Sequence, residues 1–241
     1  MKQSGLLIQH DVVAYETAWE LQKTFVEERM QDLRPDTLLL LEHSPVFTLG
    51  RSTKSEHWGG DEMSLRAHGC SVYHVERGGS VTYHGPGQLV GYPILQLHRY
   101  CPGPRVYIRL LEDVILRTLS EWGIQGRRIA TFPGVWVGDH QPAKIASVGV
   151  RIMRGVTMHG FSLNVTVDTT PFGWIVPCGI EGCVVTSMAA WLGRPVDMAE
   201  VRQRVAAIFA EVFDIEWDQV LAGIDARASP SRRGSDLIES Q

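Results

Sequence analysis

GVWVGDHQPAKIASVGVRIMRGVTMHGFSLNVTV, from Gly134 to Val167, sets the fold class. It divides into three short runs, GVWV, KIASVGVRIM and VTMHGFSLNV, rich in valine, isoleucine and other β-formers and broken by Gly, Asp and Pro. Such runs read as consecutive strands. The chain on either side has a different rhythm. Gly5 to Gln9 reads as a short strand, and Asp11 is placed to cap a helix through about Gln31, with Ala14, Ala18, Leu21 and Phe25 on one face. TLLLLE, from Thr37 to Glu42, has the unbroken apolar character of a buried strand. Arg105 to Trp122 reads as a second helix. A last one follows Asp197, which with Glu200 makes a capping-box pattern, and carries Val201, Val205, Ile208, Phe209 and Val212 on one stripe. Helices first, strands grouped later and no βαβ alternation predict an α/β chain of the α+β, mixed-sheet kind, in place of a doubly wound one.

A chain of 241 residues is long enough for one well-buried domain. The folded unit is expected over 1–226. The polar stretch RASPSRRGSDLIESQ, 227–241, is expected to be a disordered tail. A net charge of -4 argues against a dedicated nucleic-acid binder. No run approaches the ~20 apolar residues of a membrane span, and MKQSGLLIQHD is too short for a secretory core. With four unevenly spaced cysteines, these features point to the reducing cytoplasm.

Three features carry chemistry. RGGSVTYHGPGQLVGYP, Arg77 to Pro93, is dense in glycine, so a ligand can approach its backbone while Arg77 and His84 hold polar groups. The plain alternative is a Gly-Pro surface hairpin. No Gly-Lys-Ser or Gly-Lys-Thr follows, so it is not a phosphate loop. Lys144 is one of only four lysines and lies among apolar and small residues, where a desolvated amine can exchange protons; the alternative is a solvated edge-strand lysine. Cys178, between Pro177 and Gly179, sits in an expected tight turn, accessible as a nucleophile must be; the alternative is a small core residue. Cys183 reads as core, and His159 as lining a pocket or orienting backbone. His74, His84, His159, Cys178 and Cys183 show no metal-ligand spacing, so no metal is expected.

Taken together, RGGSVTYHGPGQLVGYP, AKIASVGVRI (Ala143 to Ile152), MHGFSLNV (Met158 to Val165) and PCGI (Pro177 to Ile180) resemble the lipoyl (octanoyl) transferase family, in order and in spacing. The resemblance runs from about residue 5 to about 215. It implies a single domain with the biotin/lipoate-ligase catalytic fold. It also implies transfer of an octanoyl group from the phosphopantetheine thioester of an acyl carrier protein to a lysine of lipoyl domains, those of 2-oxoacid dehydrogenase and glycine-cleavage proteins. Cys178 and Lys144 map onto the family's catalytic dyad. The acyl pocket maps onto Arg77, Gly78, Gly79, Ser80, Val81, Thr82, Tyr83 and His84, onto Ser147, Val148 and Gly149, and onto Gly160, Phe161 and Ser162. No cofactor of the enzyme's own is implied.

Backbone N–H groups near Gly179 or in the Gly78–Gly79 turn are the expected oxyanion donors. Arg51, Arg99, Arg105, Arg127, Arg128, Arg151 and Arg154 are candidates for a basic face toward acidic partners. Rival functions are an ATP-dependent lipoate ligase, which needs no cysteine, a thioesterase, and a non-catalytic acyl binder.

Overall fold

The computed structural model describes residues 2–223. Its elements in order are β1 (Gln3–Val13), α1 (Tyr15–Met30), β2 (Asp36–His43), β3 (Val46–Leu49), α2 (Glu62–Ala67), β4 (Ser71–His74), β5 (Val81–His84), β6 (Gln88–Ile94), α3 (Pro104–Glu121), β7 (Gly126–Ile129), β8 (Phe132–Val137), β9 (Ala143–Met153), β10 (Val156–Asn164), β11 (Val184–Val185), α4 (Met188–Leu192), α5 (Met198–Val212) and β12 (Ile215–Ala222). The large sheet runs β12-β1-β2-β6-β10-β9-β8-β7, with β11 added beside β9. Its β12, β1 and β2 are parallel, whereas β2 through β7 are antiparallel neighbours. A second sheet, β4-β3-β5, lies outside it. The mixed-sheet expectation holds.

β2 shows why its sequence lacks alternation. Leu38 and Leu40 enter one core with α3 and α5, while Leu39 and Leu41 enter another with Ala18, Leu21, Phe25 and Val26 of α1. Both faces of the strand are dry, so the four central positions, Leu38 to Leu41, are all apolar. The last helix begins where its cap signal lies: the Asp197 carboxylate accepts from the backbone N–H of Ala199 at 2.7 Å.

Two expectations fail here. Asp11 caps nothing, because β1 continues past it to pair Val12 and Val13 with Glu42 and His43; the helix starts at Tyr15 without a side-chain cap. The ladder to β2 outweighs the local capping option, and the Asp11 carboxylate accepts from Arg202 at 2.9 Å instead. Consequently β1-α1-β2 is a parallel βαβ unit, which the polar second half of β1 conceals in the sequence. The expected tail, 227–241, lies outside the described residues.

The ends of that unit are tied by a buried ion pair. Arg29 Nε donates to Asp36 at 2.7 Å, and both side chains are sealed from water. Asp36 also accepts from the N–H of Gln96 at 2.8 Å and from the Tyr100 hydroxyl, so it fastens α1, β2 and the approach to α3 together. Removing Asp36 leaves the buried Arg29 with only the exposed carboxylate of Asp32, at 2.6 Å, as a partner. Asp36→Ala is expected to lower the unfolding free energy by about 3–5 kcal/mol, read from urea midpoints; a loss below about 1 kcal/mol would show the pair to be solvated.

Candidate active site

One cavity of about 540 Å³ opens between β5, the start and middle of β9, β10 and the turn at Cys178. That volume is typical of a small-molecule site. Arg77, Gly78, Gly79, Ser80, Thr82 and His84 line it from the glycine-rich segment. Ser147, Val148 and Gly149 line it from β9, and Gly160, Phe161 and Ser162 from β10. Val81 and Tyr83 do not. Successive side chains of a strand leave on opposite faces, and these two join Phe47, Leu65 and Phe172 in the core under the small sheet. Val90, Ile108, Phe132 and Val150 add apolar wall, while Tyr15, Tyr92, His57 and His159 add polar groups. Val90 and Tyr92 belong to the glycine-rich segment and Val150 to the run after Lys144, whereas Tyr15, His57, Ile108 and Phe132 carry no local motif, because they converge from separate elements.

Lys144 and Cys178 face the same cavity. Lys144 is buried; its Nζ donates to the Pro133 carbonyl at 2.9 Å and lies 5.0 Å from the Trp136 ring centroid. Cys178 is half-buried at φ 59°, in a short 3-10 turn, Pro177–Gly179, that also holds Gly179 at φ 70°. A cysteine in the left-handed region is strained by an amount on the order of 1–2 kcal/mol, which the surrounding contacts must hold. Its Sγ lies 3.8 Å from Ser147 Oγ. β11 joins the two residues: Val185 pairs with Lys144, and the N–H of Thr186 donates to the Lys144 carbonyl at 3.0 Å.

Cys183 corrects its expected place. It is half-buried in the same turn region, not in the core, and burial pushes its thiol up to about 11, with Cys178 adding to the shift and Lys144 opposing it. It therefore stays a thiol at neutral pH. Two of the expected oxyanion donors are engaged elsewhere. The N–H of Gly179 donates to Val176 at 2.9 Å, and that of Gly78 to Val150 at 3.0 Å.

Behind the apolar wall lies a polar end. Arg77 is buried with no carboxylate partner among the described residues; it donates to the Thr48 carbonyl at 2.6 Å, the Thr48 hydroxyl at 2.9 Å and the Gly78 carbonyl at 3.0 Å. Gly149 makes room for it, since a Cβ there would sit 3.0 Å from the Gly78 carbonyl and 3.3 Å from Arg77 Cδ. Burial holds the guanidinium below its usual range, against the opposing effect of Tyr15, Cys178 and Tyr92. His84 donates from Nδ1 to Gln88 at 2.6 Å, Gln88 to Asn164 at 2.8 Å, and Asn164 to the Thr186 carbonyl at 2.9 Å. This network connects the glycine-rich segment to the residue that holds Lys144. Among the proposed basic-face arginines, Arg128 is paired with Glu112 and Asp113, and Arg151 with Glu76. Among the described residues, no three His, Cys, Asp or Glu side chains converge to hold a metal, and no helix is long and apolar enough to cross a membrane.

The family model of the lipoyl protein ligase A/B catalytic domain matches residues 14–210. The chain belongs to this family. It is 46% identical over 207 residues to a protein named octanoyltransferase from Myxococcus xanthus, with 85% of this chain and 58% of that relative aligned. It is 45% identical over 214 residues to an octanoyltransferase from Gloeobacter violaceus, covering 88% of this chain and 92% of the relative. In structure it is similar to a bi-partite lipoate protein ligase from Thermoplasma acidophilum, with a TM-score of 0.71 at 15% identity over 93% of this chain and 89% of the other. At that identity the likeness concerns the fold, and it agrees with the lipoate-ligase architecture expected from the sequence motifs.

Three histidines beside the cavity are held neutral. Burial lowers His43 to about 4; it lowers His84 to about 3 with His43 and Arg77 contributing, and His159 to about 3 with Arg77 and Arg151 contributing. The unfolded chain takes up these protons near pH 6.5 and the folded chain only near pH 3–4. Their stabilisation is thus present above pH 6.5 and lost as pH falls toward 4, by up to about 1.4 kcal/mol per pH unit for each histidine. Urea midpoints at pH 7.5 and pH 5.0 check this, with a shallower fall expected for His43→Gln. An unchanged midpoint would show these rings to be solvated.

Proposed function

We propose that the chain is an octanoyltransferase that moves an octanoyl group from the thioester of an acyl carrier protein to a lysine of a lipoyl domain, through a thioester on Cys178. The observation that carries this reading is the placement of Cys178 and Lys144 on one largely apolar cavity, although 34 residues separate them. The names of the relatives support it. In the first step Cys178 Sγ adds to the thioester carbonyl, its proton passing by way of Lys144 Nζ to the departing carrier sulfur. One C–S bond forms and one breaks. In the second step the neutral amine of the target lysine attacks the acyl-enzyme, a C–N bond replaces the C–S bond, and the amine's proton returns through Lys144 to Cys178. The net exchange is a thioester and an amine for an amide and a thiol, and it calls for no further cofactor.

The octanoyl tail fits along the wall made by Val90, Ile108, Val148, Val150 and Phe161. Burying it contributes roughly 5 kcal/mol at about 0.8 kcal/mol per methylene. Ser80, Thr82, His84, Arg77 and the glycines at 78, 79, 149 and 160 shape the rest of the pocket, together with Ser147 and Ser162. The partners in this reading are the carrier protein and lipoyl domains of the 2-oxoacid dehydrogenase and glycine-cleavage systems. The cytoplasm, where a nucleophilic thiol stays reduced, is its setting.

Intact mass after mixing the protein with octanoyl-carrier, without ATP, tests the route. One octanoyl adduct is expected on the wild type, absent from Cys178→Ala and discharged by a lipoyl domain. Lys144→Ala is expected to slow both steps by about 10²–10⁴-fold, the usual loss of a general acid–base group. Transfer only with ATP and free octanoate would make the protein a ligase, and release of free octanoate a thioesterase.

A further inference from the structure

The tetrahedral adduct of the proposed reaction puts negative charge on the former carbonyl oxygen, and a hydrogen-bond donor must meet it. The Gly179 and Gly78 N–H groups already donate within the protein. The residue that brackets the Cys178 turn is His57. Its carbonyl accepts from the N–H of Val176 at 2.7 Å, on one side of Cys178. On the other side its ring lies against Gly179: a Cβ there would be 2.9 Å from His57 Cε1 and 3.3 Å from Nδ1. Only glycine, at φ 70°, lets the ring come so near. The ring therefore presents its Nδ1–Cε1 edge to the turn, with Nε2 one bond beyond Cε1.

The hydrogen-bond network assigns the tautomer. The Lys54 backbone N–H donates to Nδ1 at 3.2 Å, and the Ser80 hydroxyl lies 2.6 Å from the same nitrogen. A backbone N–H is an obligatory donor, so Nδ1 is an acceptor and the neutral ring carries its proton on Nε2. Nε2 has no partner among the described residues and is not sealed from solvent. His57 itself lines the cavity with Cys178 and Lys144. A half-buried ring held at Nδ1, carrying an N–H with no partner among the described residues and lining the cavity, is preorganised for an incoming anion.

We infer that His57 Nε2–H is the donor that stabilises the thioester oxygen as Cys178 adds to the carbonyl, a role that rests on the acyl-transfer reading above. As the S–C bond forms, the carbonyl π pair moves onto oxygen and accepts the Nε2–H hydrogen bond. Collapse restores C=O and expels the carrier sulfur, and the His57 proton stays on Nε2 throughout. Lys144 manages the thiol proton; His57 serves the oxygen.

Single-turnover acylation of Cys178 by octanoyl-carrier, followed by intact mass, tests this against a purely positional role. His57→Ala is expected to slow acylation by about 10²–10³-fold, the usual effect of one oxyanion donor. His57→Gln, which keeps an N–H near the Nε2 position, is expected to recover much of the rate, and added imidazole to recover part of it in His57→Ala. Alkylation of Cys178 by iodoacetamide, which develops no oxyanion, is expected to proceed at the wild-type rate in both variants. Equal slowing of acylation and alkylation would reduce His57 to a support for the turn and overturn the inference, as would wild-type acylation in His57→Ala. Failure of the wild type itself to take octanoyl on Cys178 would remove the acyl-transfer reading, and this one with it.

Discussion

The two-residue pairing of β11 with β9 is the constraint on which the site depends. The Cys178 turn has no regular structure long enough to hold itself. Val184 and Val185 lie parallel to Ala143 and Lys144, and the Thr186 N–H closes the ladder on the Lys144 carbonyl. This short seam sets the register between a lysine and a cysteine that lie far apart in sequence. A slip of one residue in it would carry the Cys178 turn about 3.3 Å along β9 and turn Val184 and Val185 to opposite faces. Since β9 sits between β10 and β8 in the large sheet, its position is settled by the whole core, and the turn inherits that rigidity.

Polar chemistry around the cavity is arranged so that charge is scarce. His43, His84 and His159 are neutral through burial, and the Tyr15 and Tyr92 hydroxyls are pushed above their usual range by the same cause. Among the described residues Arg77 has no carboxylate partner and is satisfied mainly by oxygen atoms of Thr48. A buried carboxylate close to Arg77 would neutralise its field. Without one, the cation interacts electrostatically with Cys178 and with any anion that forms beside it. The cost of burying this group is carried by hydrogen bonds to fixed backbone and side-chain oxygens, which also orient it.

Much of the architecture was legible because it follows from local pattern. The TLLLLE strand, the Asp197 cap and the β-rich middle of the chain each carry a local signal that the structure obeys. The start of α1 was not legible, since the capping option at Asp11 competes with ladder bonds to strands remote in sequence. Cys183 was misplaced for a similar reason: the apolar residues after it belong to a two-residue strand added beside β9, not to a long core element.

For the site, residue chemistry singled out Cys178, Lys144 and the glycine-rich segment, because a cysteine in a Pro-Gly turn, an isolated lysine in an apolar run and a glycine cluster are unusual in any fold. Those are properties of short segments, and they are written in the order of residues. The inward face of β5, the neutral state of the histidines, the isolation of Arg77 and the seating of His57 on Gly179 are not. Each arises where elements distant along the chain pack together, and only the packed sheet specifies which side chains share a wall and which polar atoms are left to meet a substrate.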